Sequence, residues 1–291
     1  MNAVKTAVLL GLLSCLLVVG GGALMGRNGL MIGLVLAVGM NFFSYFFSDR
    51  LALASYSAQP VTPEENSEVY QRVYPLVWNL VQRMGLPMPK LWLLPDSSPN
   101  AFATGRDPQH ASVAFTEGIL ELMSDRELEG VVAHELGHVL HRDILISSVA
   151  ATIAGAITYL SQLAFWFGGS RDDEEERGGG LAAILMMILG PIAAGLIQMA
   201  ISRTREFSAD EASAKYTGSP DELISALQKL EMGVAQIPMQ DASPATAHLF
   251  ILNPFGPGGL TRMFSTHPST EERIARLQGM RGDAWRNLPV R

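Results

Sequence analysis

Cysteine is almost absent from this chain: Cys15 is the only one in 291 residues. An intramolecular disulfide is excluded, and so is a metal site built on several thiolates. Charge is scarce as well. Asp, Glu, Lys and Arg make up only 17% of the residues, the net charge is −7, and the basic residues form no cluster, which excludes the electrostatic footprint of a nucleic-acid binder. Apolar residues are abundant instead, at 48% with a mean hydropathy of +0.21.

Those apolar residues are clumped. Segments 7–24 and 29–47 hold no acidic residue and no Lys, and each is near the length that crosses a bilayer. Arg27 and Asn28 mark the break between them. Both segments are expected to be transmembrane helices. Leu12-Leu13-Ser14-Cys15 resembles a lipoprotein cleavage box, but the chain stays apolar beyond it and lacks an A-x-A site, so the first segment is expected to remain as an anchor. Segments 144–167 and 181–201 are further candidates, rich in small residues, with Pro191 expected to kink the second. Small residues suit close helix packing in a membrane, and they suit the core of a large soluble domain too.

With four spans, Lys5 and segments 50–143 and 202–291 share one side and carry 18 of the 21 basic residues. That side is expected to be cytoplasmic. The opposite side would hold Arg27 and the acidic loop 171–177, which reads as solvated.

The chemistry begins at His134-Glu135-Leu136-Gly137-His138, inside a stretch of helical character at 125–142. Residues four apart on a helix lie one above the other, so both imidazoles can grip one metal ion. Zinc held in this way keeps a position open for a water whose pKa falls to about 7, and Glu135 stands beside it as a base. The same carboxylate can pass the proton to a leaving amine, which amounts to peptide hydrolysis. Val131, Val132, Ala133, Leu136, Val139 and Leu140 make the helix apolar, and two His and a Glu buried there are costly unless a metal satisfies them.

A catalytic zinc needs a third protein ligand. His141 lies seven residues after His134, about 10.5 Å along a straight helix, too far to share one ion comfortably. Glu206 is better placed, because a hairpin of the third and fourth apolar segments returns it to the level of His138. Asp210 follows one turn later and can accept a hydrogen bond from the outer nitrogen of a ligating His. His110 and His248 are given no part in the site.

Elsewhere, residues 64–84 read as an amphipathic helix, 91–94 as a strand, and 101–104 and 112–116 as two strands around a turn. Ser124 or Asp125 can cap the metal-binding helix. Helices are expected at 203–216, 221–232 and 270–281, with a mobile loop at 237–264. The organisation is an amino-terminal hairpin (1–49), a first catalytic part (50–143), a second hairpin (144–201) and a second catalytic part (202–291). The two polar parts are expected to form one domain.

The His134–His138 motif followed by Ser202-Arg203-Thr204-Arg205-Glu206-Phe207-Ser208-Ala209-Asp210 resembles the HtpX membrane metalloprotease family, heat-shock-associated relatives of the zinc CAAX endopeptidases. Asn100-Ala101-Phe102-Ala103-Thr104-Gly105 and Ser265-Thr266-His267-Pro268 match family motifs too, and the resemblance spans essentially the whole chain. It implies a mainly α fold with a small β-sheet and a zincin-like catalytic domain. It also implies a four-span protease of the bacterial inner membrane, with one zinc ion per subunit, acting on damaged membrane proteins.

Three softer assignments follow. Asn100, Ala101, Phe102 and Ala103 are a candidate cleft edge that pairs with substrate backbone, or an ordinary strand of the sheet. His267 is a candidate for stabilising the oxyanion, or a surface residue before a proline turn. Arg203 and Arg205 can aid that charge or anchor the helix at lipid headgroups.

The reading is an integral membrane zinc endopeptidase. His134, His138 and Glu206 hold zinc, Glu135 is base and then acid, and Asp210 orients a ligand. Expected partners are unfolded or unassembled membrane proteins and the bilayer; oligomeric state is left open. A peptidase for processed or lipid-modified peptides and a silent zinc-binding scaffold are the competing readings, and the scaffold gives Glu135 no purpose.

Overall fold

The computed structural model describes residues 2–154, 157, 203–240, 242, 243, 245–255 and 268–282. Half of the third and all of the fourth apolar segment, the acidic loop 171–177 and His267 lie outside the described residues.

Helix α1 (Asn2–Ser55) is apolar through most of its length and folds back on itself at Gly26, whose φ of +60° is a left-handed turn open to glycine. Asn41 Nδ2 donates to Ser14 Oγ at 2.8 Å, a contact that a straight helix could not make across 27 residues. The break expected at Arg27 and Asn28 therefore sits at the tip of a hairpin. Its second arm, Gly26–Ser55, is long and apolar enough to cross a membrane; the first, Val4–Val19, is a shorter apolar helix. Leu9 and Leu13 of the first arm pack against Ile146, Val149 and Ile153 of helix α5 (Ile144–Ala154).

The four-stranded sheet has the order β1 (Gln59–Pro60), β2 (Lys90–Leu94), β4 (Ala111–Thr116), β3 (Ala101–Gly105). β2 runs parallel to β4, and β3 antiparallel to it. The period of two sorts the side chains. Leu91, Leu93, Ala101, Ala103, Val113 and Phe115 face the helical core. Leu94, Phe102 and Ala114 face a second cluster with Tyr56, Leu249 and Phe250.

Helix α2 (Ser67–Met84) buries Val73, Val77, Leu80 and Val81. It starts three residues later than its periodicity suggests, because the Thr62 hydroxyl accepts from the Glu65 N–H at 3.0 Å and closes a separate turn first. Short α3 (Glu117–Leu122) leads into α4 (Asp125–Leu140). Across the gap, α6 (Arg203–Thr217), α7 (Asp221–Gln236) and α8 (Thr270–Gln278) follow. Buried residues of α2, α4, α7, α8 and the sheet belong to one cluster, so segments far apart in sequence share one core.

Candidate metal centre

Helix α4 begins where its chemistry demands. Ser124 accepts from the Glu127 N–H, and the Glu127 carboxylate accepts from the Ser124 N–H at 2.9 Å, a capping box. Glu127 also receives Ser225 Oγ at 2.5 Å and Lys229 Nζ at 2.7 Å, which ties the start of α4 to α7. Burial alone would raise the Glu127 pKa, but Lys229, Ser225 and Ser124 hold it down to about 2.

Gly137, between His134 and His138, is where α6 crosses. A Cβ there would lie 3.0 Å from the Ala209 Cα, so a side chain at 137 would force the helices apart. This approach sets Glu206 and Asp210 of α6 against the histidines. His134 Nε2 and His138 Nε2 are 3.2 Å apart, and the Glu206 oxygens lie 3.8 and 3.6 Å from them. One ligand atom from each of the three residues can be chosen within 4.8 Å of the others.

The outer nitrogens are engaged separately. His134 Nδ1 faces Asp210 Oδ1 at 2.9 Å, and His138 Nδ1 faces Asp143 Oδ2 at 3.4 Å. Each imidazole thus turns its Nε2 inward and its Nδ1 toward a carboxylate, the tautomer that metal ligation requires. Two imidazoles and a carboxylate converging on one point form a donor set that fits zinc.

Burial and the neighbouring charges shift the protonation of the whole group. Burial lowers the His134 pKa to about 4, with Arg273 nearby adding to the shift. Burial would lower His138 also, but the Glu206 carboxylate and the hydrogen bond to Asp143 raise it to about 9. Glu135 is pushed up to about 8, first by burial and then by Glu206. Its Oε1 has no hydrogen-bond partner among the described residues. A cation at this point would relieve the Glu135 and Glu206 carboxylates together.

His134, Glu135, His138, Glu206 and Asp210 are all brought together. Asn100 is buried and holds Leu252, its Nδ2 donating to the Leu252 carbonyl at 2.9 Å. Ala101 and Phe102 pair with the chain's own residues 250 and 251, while Ala103 lines the cleft beside Glu135. Arg205 lies 4.0 Å from Asp143, and exposed Arg203 lies 4.0 Å from Glu272. His141 ends α4 and is not among the cleft residues. His110 pairs with Asp107 at an exposed turn.

One assignment is corrected. His248 does line the cleft, with Asp143, Ser147, Leu249, Phe250 and Ile251. Part of the loop expected to be mobile is an ordered wall: a 3-10 turn at Ala247–Leu249, then Phe250 bridged to Phe102. Nothing local in the sequence signals that pairing, which spans about 150 residues.

Two residues that the structure brings to the site have no signal in the sequence. Arg273 is 1% exposed and grips Asp210 with two nitrogens. In sequence it sits among Glu271, Glu272 and Arg276, like a solvated helix face. Asp143 reaches His138 because Arg142 takes a left-handed φ of 57° and turns the chain back.

Residues 63–281 match Peptidase family M48. The chain is 52% identical over 281 residues to a Protease HtpX homolog of Ralstonia pickettii (strain 12J), covering 96% of each. It is 51% identical over 281 residues to a Protease HtpX homolog of Burkholderia thailandensis, covering 96% of this chain and 97% of that one. Among solved structures, the crystal structure of S. mikatae Ste24p aligns with a TM-score of 0.48 and 18% identity, covering 95% of this chain; this chain spans 64% of that one.

Proposed function

The chain belongs to peptidase family M48, and from that premise we propose that it is a zinc-dependent endopeptidase of the bacterial inner membrane. The observation that carries the reading is the convergence of His134, His138 and Glu206, with Glu135 buried beside them. A structural metal site has no use for that fourth group.

His134, His138 and Glu206 would hold the ion, with Asp210 and Asp143 fixing the two imidazoles from behind. Zinc, when bound, supplies Lewis acidity that polarises the peptide carbonyl and acidifies water. Glu135 takes a proton from the attacking water and delivers it to the leaving nitrogen. The buried surroundings of Glu135 strengthen each of these charge interactions.

Three observations support the membrane part of the proposal: the apolar α1 hairpin, the further apolar segments within 144–201, and the concentration of basic residues on one side. The catalytic domain is then cytoplasmic on a four-span protein. The substrates would be extended segments of misfolded or damaged membrane proteins, in quality control under stress, because a cleft held at the bilayer surface meets such segments first.

The test is cleavage of casein by the purified full-length protein in detergent, with metal analysis on the same sample. About one zinc per chain and cleavage abolished by a chelator are expected. Zinc-loaded protein that cleaves nothing would instead mark a silent scaffold.

A further inference from the structure

Strand β3 joins the cleft to the end of the apolar α1 hairpin by a short path. Ala103 lines the cleft with Glu135. Just past the end of β3, the Arg106 guanidinium lies over the Phe46 ring, 5.4 Å from its centroid. Phe46 stands where the apolar run ends: Tyr45, Phe46 and Phe47 give way to Ser48, Asp49 and Arg50. Tyr45 is 37% exposed and Phe46 39%. In a spanning helix, such rings followed at once by charges lie at the level of the lipid headgroups. Three residues of backbone reach about 10 Å at most, so Ala103 lies within that distance of the Arg106 backbone.

Two other connections hold the cleft at the same height. The second arm of α1 continues as one helix from Gly26 to Ser55. Leu53 lies seven residues beyond Phe46, a rise of about 10 Å, and shares a buried cluster with Phe102 of β3. On the other flank, Ile144 and Ser147 of α5 line the cleft, while Ile146 and Val149 share a buried cluster with Leu9 and Leu13. The bond from Asn41 to Ser14 sets Leu9 level with Phe46 in the antiparallel hairpin. The Thr104 and Ser148 hydroxyls, 2.7 Å apart, tie β3 to α5. Apart from Arg106, these contacts are made by strands and helices, so the cleft has little freedom to rise or tilt against the hairpin.

We infer that α1, β3 and α5 together act as a ruler: they fix the cleft about 10 Å above the headgroups, and the chain that it cuts is the polar stretch immediately beside a membrane span. The inference rests on the peptidase and membrane readings. An extended chain advances about 3.3 Å per residue, so a site three or four residues beyond a span reaches the cleft. A site carried on a rigid helical spacer of about 20 residues stands about 30 Å out and is held above the cleft. A flexible spacer of the same length folds back and brings its site down again.

Two experiments on the full-length protein in lipid vesicles test the ruler. In the first, single-span substrates carry one sequence that the enzyme cuts in casein. It is placed about four residues beyond the span, or after about 20 residues of rigid EAAAK-type helix, or after about 20 residues of Gly-Ser linker. The rigid spacer should slow cleavage at least about tenfold relative to the other two, because a site that cannot reach the cleft has an effective concentration near zero. Equal rates on the near and rigid substrates would overturn the ruler, and so would equal slowing by the flexible linker, which would mean that chain length and not height is sensed. In the second, height is read without activity. A fluorophore on Gln109→Cys, exposed in the turn after Arg106, is compared in a Cys15→Ser background with one on exposed Arg126→Cys, at the opposite end of α4 from the cleft. Lipids spin-labelled at the headgroup should quench the first more strongly, and equal quenching would overturn the ruler. No chelator-sensitive cleavage of the free casein peptide would sink the peptidase reading while the quenching still reports on height. Release of the protein from vesicles by alkaline carbonate would sink the membrane reading, and the ruler with it.

Discussion

Arg273 holds Asp210 by two hydrogen bonds, Nε to Oδ2 at 2.9 Å and Nη2 to Oδ1 at 2.6 Å, and Asp210 in turn faces His134. Both side chains are buried, and Asp210 has its pKa lowered: burial opposes ionisation, but Arg273 and His134 more than offset it. Removing the guanidinium leaves a buried carboxylate with His134 but without its cation, and breaking a buried ion pair from one side costs about 3–5 kcal/mol. Arg273→Met should therefore unfold the carboxy-terminal part at lower denaturant. Arg273→Lys should keep the charge but lose the two-pronged grip, so zinc should dissociate faster from it than from wild type. Equal dissociation rates would reduce Arg273 to a packing residue.

Asp210→Asn and Asp143→Asn test the two outer carboxylates separately. Each should weaken zinc affinity or activity about 10- to 100-fold, read by competition with a chromophoric chelator. Asp210 should matter more, because it stands 2.9 Å from its imidazole and Asp143 stands 3.4 Å from the other.

Glu135→Gln should abolish proteolysis yet retain stoichiometric zinc, because in the proposed mechanism Glu135 acts on the water and is not a ligand. Glu206→Ala should lower zinc content itself. If the first variant loses its metal, or the second keeps it, the roles are exchanged or the third ligand lies elsewhere.

Acid should loosen the helix that carries the motif. Glu127 has its pKa held down to about 2 in the fold against an ordinary 4.5. Its contribution is complete above pH 4.5 and is lost as the pH falls toward 2. Allowing for the half-exposed Lys229, the loss is about 2 kcal/mol. Glu127→Gln should be less stable at neutral pH and should change less with pH across that window, as followed by chemical denaturation.

Topology can be read by labelling in a Cys15→Ser background. A cysteine from Ser170→Cys should react with an impermeant thiol reagent in intact spheroplasts, and one from Ser219→Cys only after lysis. Identical labelling would refute the spanning hairpin while leaving the zinc chemistry standing, since a buried hairpin can also return Glu206 to His138.

The sequence by itself determined everything that depends on local period and local bonding. Four-residue spacing set His134 above His138 and Glu206 in line with Asp210. Ser124 and Glu127 fixed the start of α4, and the polar break after residue 24 marked the turn of the α1 hairpin. The order of apolar segments even suggested that Glu206 comes back to the histidines. Only the tertiary structure decided which distant groups complete the site. Asp143 needs the left-handed turn at Arg142, Arg273 needs α8 laid against α6, and His248 needs Phe250 bridged to Phe102. Periodicity reports which residues share a face of one element. Contacts between elements depend on how side chains interlock across 60 to 150 residues of intervening chain, and no local pattern encodes that packing.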